Sequence, residues 1–172
     1  MLLKRIEDMR GVGVTLGFAS VLFSGAIFGF FYAWVCSTMW GLDAADPRIA
    51  IAAMQAMNAS VRNAVFCPTF FLTPVVLFAA AVATQGRARV LFAGGGGVYL
   101  MGGLILTILV NVPMNEALAA LDVPRDIDAA QTIWEAYRPR WQVFNITRTV
   151  PSGLALMLAA GGLWSLGCKA EA

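Results

Sequence analysis

The run that decides the fold is GVGVTLGFASVLFSGAIFGFFYAWVCSTMWGL, Gly11 to Leu42, 32 residues without one charged side chain. A hydrocarbon core roughly 30 Å thick is crossed by about 20 helical residues, so this run spans once with turns to spare. Outward from it, Asn63–Gly86, Val90–Asn115 and Thr149–Cys168 are free of charge over 24, 26 and 20 residues. The pattern predicts an all-α fold: a four-transmembrane-helix bundle with spans near 12–40, 64–85, 90–115 and 141–168, in a single integral membrane domain. Lys4, Arg5 and Arg10 precede the first run as they would in a signal peptide. Secretory apolar regions run only about 7–15 residues, so an uncleaved signal-anchor is the reading.

Composition agrees. Of 172 residues, 59% are hydrophobic and 13% charged, about half the charged fraction of soluble domains, with mean hydropathy +0.74. Histidine is absent, which excludes a histidine-ligated metal, a Ser-His-Asp triad and a histidine acid/base from this chain alone. A net charge of +2 with no basic cluster argues against a nucleic-acid partner and leaves membrane lipids as the surroundings. Four spans put both ends of the chain on one side. Lys4, Arg5, Arg10, Arg87, Arg89 and Lys169 crowd the short segments there, so the basic flanks place the termini in the cytoplasm of a cell inner (plasma) membrane. Trp34, Trp40, Trp134, Tyr137 and Trp141 would then mark the outer interface and Trp164 the inner one. Ten of the twelve basic residues are arginine, which with abundant Ala and Gly suits a GC-rich bacterial source.

Small residues recur where helices could approach: Gly13/Gly17, Gly25/Gly29, Gly94–Gly97, Gly102–Gly103, Ala155/Ala159 and Gly161–Gly162. In lipid such positions permit close backbone contact, here within the bundle rather than in a homo-oligomer, with the third helix the most closely approached. Four glycines without a following Lys-Ser/Thr do not make a phosphate loop. Cys36, Cys67 and Cys168 read as free thiols, with a Cys36–Cys67 bridge the lesser alternative. Metal binding has no donor set, and no cofactor is called for.

The informative residues are the polar ones. Asp46–Arg62 reads as an amphipathic helix entered at Pro47, with Gln55, Asn58 and Arg62 on one face and Met54, Met57 and Val61 on another. The third span ends NVPMNE, placing Gly103, Thr107, Asn111 and Asn115 on one stripe, with a kink predicted at Pro113. The fourth opens on the stripe Trp141, Asn145, Arg148 and Ser152. Topology makes these segments neighbours at the outer face, so Gln55, Asn58, Asn111, Asn115, Trp141 and Asn145 become candidate substrate-binding residues. Each amide could equally form an ordinary interhelical hydrogen bond, worth about 0.6 kcal/mol. Arg148 could simply snorkel. An intramembrane ionisable residue is nonetheless a functional candidate, and Arg148 suits a phenolate, enolate or carboxylate. Glu116 adjoins the cluster as the candidate general base, with Glu135 as a loop acid able to fold over.

On these motifs the chain resembles the anthrone oxygenase family over Gly25 to Leu158: GAIFGFFYAWV in the first span, AAMQAMN before the second, LVNVPMNEALAALD closing the third, and Trp141-x-x-x-Asn145-x-x-Arg148-Thr149 opening the fourth. The resemblance implies a small four-helix integral membrane protein, and fungal members oxidise a polyketide anthrone to an anthraquinone with molecular oxygen. The family pattern reads Asn-His-x-Arg where this chain has Asn145-Ile146-Thr147-Arg148. Two readings stay open. One is a cofactor-independent oxygenase acting on a flat, apolar aromatic or quinone-like ligand. The other is a non-catalytic accessory or assembly subunit of a larger membrane complex. A small transporter ranks last, because no internal repeat appears.

Overall fold

The computed structural model describes residues 2–167, with side-chain surroundings from Gly11 onward. The side chains of Lys4, Arg5 and Arg10, and Cys168, Lys169 and Glu171 altogether, lie outside that description. Five helices follow in order: α1 (Gly11–Asp43), α2 (Pro47–Ser60), α3 (Phe66–Ala83), α4 (Arg87–Ala119) and α5 (Ile127–Gly167). All but α2 are long and apolar enough to cross a membrane. They form a four-membered ring in which α1 packs on α3 and α5, and α4 packs on the same two. No helix is central, so the expectation for the third span narrows to close contacts at Gly95, Gly96, Gly102 and Gly103, the tightest at Gly102. A Cβ built on Gly102 would stand 2.6 Å from Cγ of Pro151, so only glycine fits there. Gly29 and Gly97, by contrast, face open space.

The helices are longer than the charge-free runs suggested. The fourth expected span, 141–168, is the lower part of a 41-residue α5, about 60 Å long at 1.5 Å per residue. Asp128, Glu135, Arg138 and Arg140 end the apolar run but not the helix. The upper ends of α1, α4 and α5 and the whole of α2 build a cap on the bundle. Its core contains Trp34, Met39, Ile51, Met54, Leu118, Trp134, Tyr137 and Trp141. This corrects the aromatic-belt reading: Trp34, Trp134, Tyr137 and Trp141 are buried, because spacings of three and four keep them on the inward face of their helices. Trp40 and Trp164 are exposed, as belt residues would be.

Side chains tie the cap together. Asp46 caps α2 by accepting from the Arg48 amide at 2.9 Å, with Pro47 in the first turn. The Arg48 side chain also donates to Asp46 (Nη2 to Oδ2, 2.5 Å) and, through Nη1, to the Arg125 carbonyl at 3.0 Å. Asp43 at the top of α1 accepts from Trp134 Nε1 at 3.1 Å and from the Arg138 guanidinium of α5. Below the cap, Ile27, Phe31, Phe70, Tyr99 and Ala155 form a middle core. A third cluster around Leu77, Phe92 and Ala159 fills the far end.

Two helices are locally wound as π-helix: α1 over Trp34–Thr38, and α4 over Tyr99–Ile105 and Thr107–Asn111. A π turn bonds over five residues instead of four, as the Val112 amide does to the Thr107 carbonyl. Pro113 has no amide to give. The chain meets this with a π turn just before it and continues as one helix to Ala119.

Candidate functional site

The site lies where the middle core meets the cap. Phe31 lies 20 residues past Gly11, where the charge-free run of its helix begins, Thr107 lies 20 residues past Arg87 at the start of α4, and Arg148 lies 19 residues before Gly167, the last residue described in α5. At 1.5 Å per residue that is about 30 Å in each case, the thickness of a hydrocarbon core.

Arg148 is the centre. It is only 5% exposed, so it does not snorkel. Its Nε and Nη2 donate to Asn145 Oδ1 at 3.1 and 2.9 Å, a pairing set by their three-residue spacing on α5. Its Nη1 donates to Thr107 Oγ1 at 3.3 Å, and Thr107 in turn donates to the Gly103 carbonyl. The guanidinium carbon lies 4.2 Å over the Phe31 ring and 5.3 Å from that of Trp141. A guanidinium has five N–H donors. Three are engaged, and among the described residues none meets a carboxylate. One N–H on each terminal nitrogen has no partner among the described residues.

Beside the guanidinium is a cavity of about 290 Å³, near the lower end of the range for small-molecule sites. Phe30, Phe31, Trp34, Phe66, Phe70 and Trp141 wall it, and Arg148 and Thr107 supply polar atoms from within. Phe66 and Phe70 are stacked at 5.4 Å, and Trp34 lies 5.0 Å from Trp141. Slab-shaped walls of this kind suit a flat ring system. At the lip Arg62 Nη2 donates to Glu116 Oε1 at 3.1 Å, both side chains being more than half exposed.

The candidates divide. Asn58, Asn115, Glu116, Trp141 and Arg148 line the cavity. Asn58 Nδ2 is buried with no partner in good hydrogen-bond geometry among the described residues, the Tyr137 hydroxyl being its polar neighbour. Asn115 Oδ1 is taken by Trp141 Nε1 at 2.7 Å and Tyr137 Oη at 2.9 Å, which fixes the indole forming one wall. Asn145 stands behind Arg148, its Nδ2 donating to the Phe31 carbonyl at 3.3 Å. Asn111 is fully buried, with neither amide atom partnered among the described residues, and does not reach the cavity wall. Gln55 does not join the others: its Nε2 donates to the Leu118 and Leu121 carbonyls, both at 2.9 Å. Leu118 is in the last turn of α4, where its carbonyl also accepts from the Leu121 amide at 3.2 Å, and Leu121 follows the helix end, so Gln55 ties α2 to the C-terminus of α4. Glu135 accepts from Gln131 on the exposed side of α5 and does not fold over the site.

Sequence reasoning missed the phenylalanines. Phe30/Phe31 and Phe70/Phe71 are adjacent pairs in apolar runs, and nothing in them tells a cavity wall from a lipid-facing side chain. Cys36 and Cys67 are free thiols, and Cys67 lines the cavity. Among the described residues no three Cys, Asp or Glu side chains gather as metal ligands do.

Comparison with known proteins gives one family: the anthrone oxygenase family model matches residues 54–158, more than half of the chain. No curated protein and no solved structure matches. The matched stretch runs from Met54 of α2 to Leu158 of α5, and so includes Asn58, Thr107, Asn115, Glu116, Trp141, Asn145 and Arg148.

Proposed function

The chain belongs to the anthrone oxygenase family, and from that premise we propose that it oxidises a flat phenolic or anthrone-like molecule with molecular oxygen, in a multi-pass inner-membrane setting with cytoplasmic termini. The observation that carries this reading is a buried guanidinium with two unused N–H groups, no acidic partner among the described residues, and aromatic walls. A positive charge so placed binds an oxyanion far more strongly than it would in water.

The reaction asks little else of the protein. Loss of a proton from the ring CH₂ of an anthrone leaves an electron-rich enolate with its charge on oxygen. Arg148 stabilises that charge, and Asn58 Nδ2 supplies a donor to a second ring oxygen. Glu116 is the carboxylate on the cavity wall and accepts the proton. The enolate carbon then gives electrons to oxygen, and the CH₂ becomes C=O while the second oxygen atom leaves as water. No histidine takes part. Ile146 and Thr147, which occupy the positions between Asn145 and Arg148, point away from the buried face and are exposed.

The test is oxygen uptake by the protein in mild detergent on addition of an anthrone, with product followed by absorbance. Arg148→Gln lowers kcat by about 10²–10³, the loss seen when a single oxyanion donor is removed. A protein that takes up no oxygen, and copurifies in fixed ratio with other membrane subunits, is an accessory subunit instead.

A further inference from the structure

A second depression lies outside the site, on the lipid-facing flank between α1 and α3. It has a volume of about 370 Å³ and is lined by Ala26, Ile27, Phe30, Val61, Phe66 and Thr69, among others. Phe30, Val61 and Phe66 also line the cavity that contains Arg148. The two spaces therefore share one partition. Its centre is the Phe30–Phe66 pair, with ring centroids 4.7 Å apart and planes inclined at 49°, both side chains only partly buried. The partition hangs from a short non-helical link between α2 and α3, where Asn63 Oδ1 holds the Val65 and Phe66 amides at 2.8 and 2.9 Å. Phenyl rings turn about two side-chain bonds, so the partition opens without movement of a helix.

We propose that this groove is the way in. An uncharged, apolar ring molecule dissolved in the bilayer settles between α1 and α3 and passes between Phe30 and Phe66 to reach Arg148. Two further observations favour this side. The groove is walled by Ala26, Ile27, Phe30, Val65 and Phe66, with Ser60 and Asn63 only at the end of α2 and its link to α3. The water-facing lip of the cavity, in contrast, is crossed by the Arg62–Glu116 ion pair. An ionised molecule crosses apolar surface at a cost of several kcal/mol, so the ligand travels neutral and ionises only beside Arg148. The inference rests on the cavity being a ligand site, and makes no use of the reaction there.

The native thiol of Cys67, on the cavity wall, reports the route. In protein reconstituted into vesicles with Cys36→Ser and Cys168→Ser, Cys67 is the one remaining thiol. N-(1-pyrenyl)maleimide, which partitions into lipid, labels it faster than a sulfonated maleimide that stays in water. Ala26→Trp fills the groove from an exposed position and slows the pyrenyl reagent by about tenfold, equivalent to ~1.4 kcal/mol of added barrier. The sulfonated reagent is unaffected. Thr69→Trp repeats the effect from α3, and an unchanged melting temperature in both variants shows that the fold is intact. The proposal is overturned if the sulfonated reagent is the faster one, if Arg62→Ala accelerates labelling while Ala26→Trp leaves it unchanged, or if the pyrenyl reagent fails to reach Cys67. Labelling reads no oxygen uptake, so the route and the oxygenase reading fail separately.

Discussion

At the residue scale the site is an arginine held in place by an asparagine. Asn145 accepts two hydrogen bonds from Arg148 but brings no negative charge, so the guanidinium keeps its full attraction for an anion. Asn145→Asp would supply that charge. The expected outcome is a protein as stable as the parent or more so, with binding of a phenolate inhibitor lost, read by calorimetry alongside thermal unfolding. Asn145→Ala acts in the opposite sense. It leaves buried donors without acceptors, and stability falls by about 1–3 kcal/mol. Asp46 gives the one pH effect to expect in the cap. Its hydrogen bonds from the Arg48 side chain and amide hold its pKa at about 2, below the ordinary 3.8. A depressed carboxylate pKa means that the stabilisation is complete above the ordinary value and is lost as pH falls from about 4 to about 2. The Arg48 amide resonance should shift across that interval, while the buried helices stay unchanged.

At the scale of elements, close packing is confined to particular contacts. Gly102→Ala sets a methyl against the Pro151 ring, which cannot turn aside. It should lower stability by about 1–3 kcal/mol, the usual penalty of overpacking. Gly97→Ala, in the same helix but facing open space, should be neutral or stabilising by up to about 1 kcal/mol. Thermal unfolding of the two variants in one detergent checks both. The four spans were legible because absence of charge over 20 or more residues has few other causes. The cap was not. Asp128, Glu135, Arg138 and Arg140 mark the end of lipid, and a hydropathy reading cannot tell a loop from a helix standing in water. The stripe Trp141, Asn145, Arg148 and Ser152 was legible because it follows α-helical spacing, and all four are buried. The stripe of α4 was legible only in outline, since π turns depart from that spacing between Tyr99 and Asn111.

At the scale of the whole molecule there are two bodies, a bundle in the apolar layer and a cap above it, with the site at their seam. Asp43→Ala removes the acceptor shared by Trp134 and Arg138, and so loosens the cap alone. Hydrogen exchange should quicken over residues 127–141 and remain slow around Tyr99 and Ala155, as expected of units that open separately. The same division gives the π turns of α4 a role in register. Each accommodates an extra residue within an otherwise α-helical path, and so sets the angle at which the upper third of α4 meets its neighbours. A deletion of one residue between Thr107 and Asn111 would restore simple α-helix and leave everything above facing as before, whereas one residue added there, with no further turn to absorb it, would rotate the upper part by about 100°. Asn115, Glu116 and Leu118 would then face the wrong way while Gly95 and Tyr99 stayed seated. A protein lengthened by that single residue should insert and pack its lower half normally, yet carry a cap rotated off the candidate site.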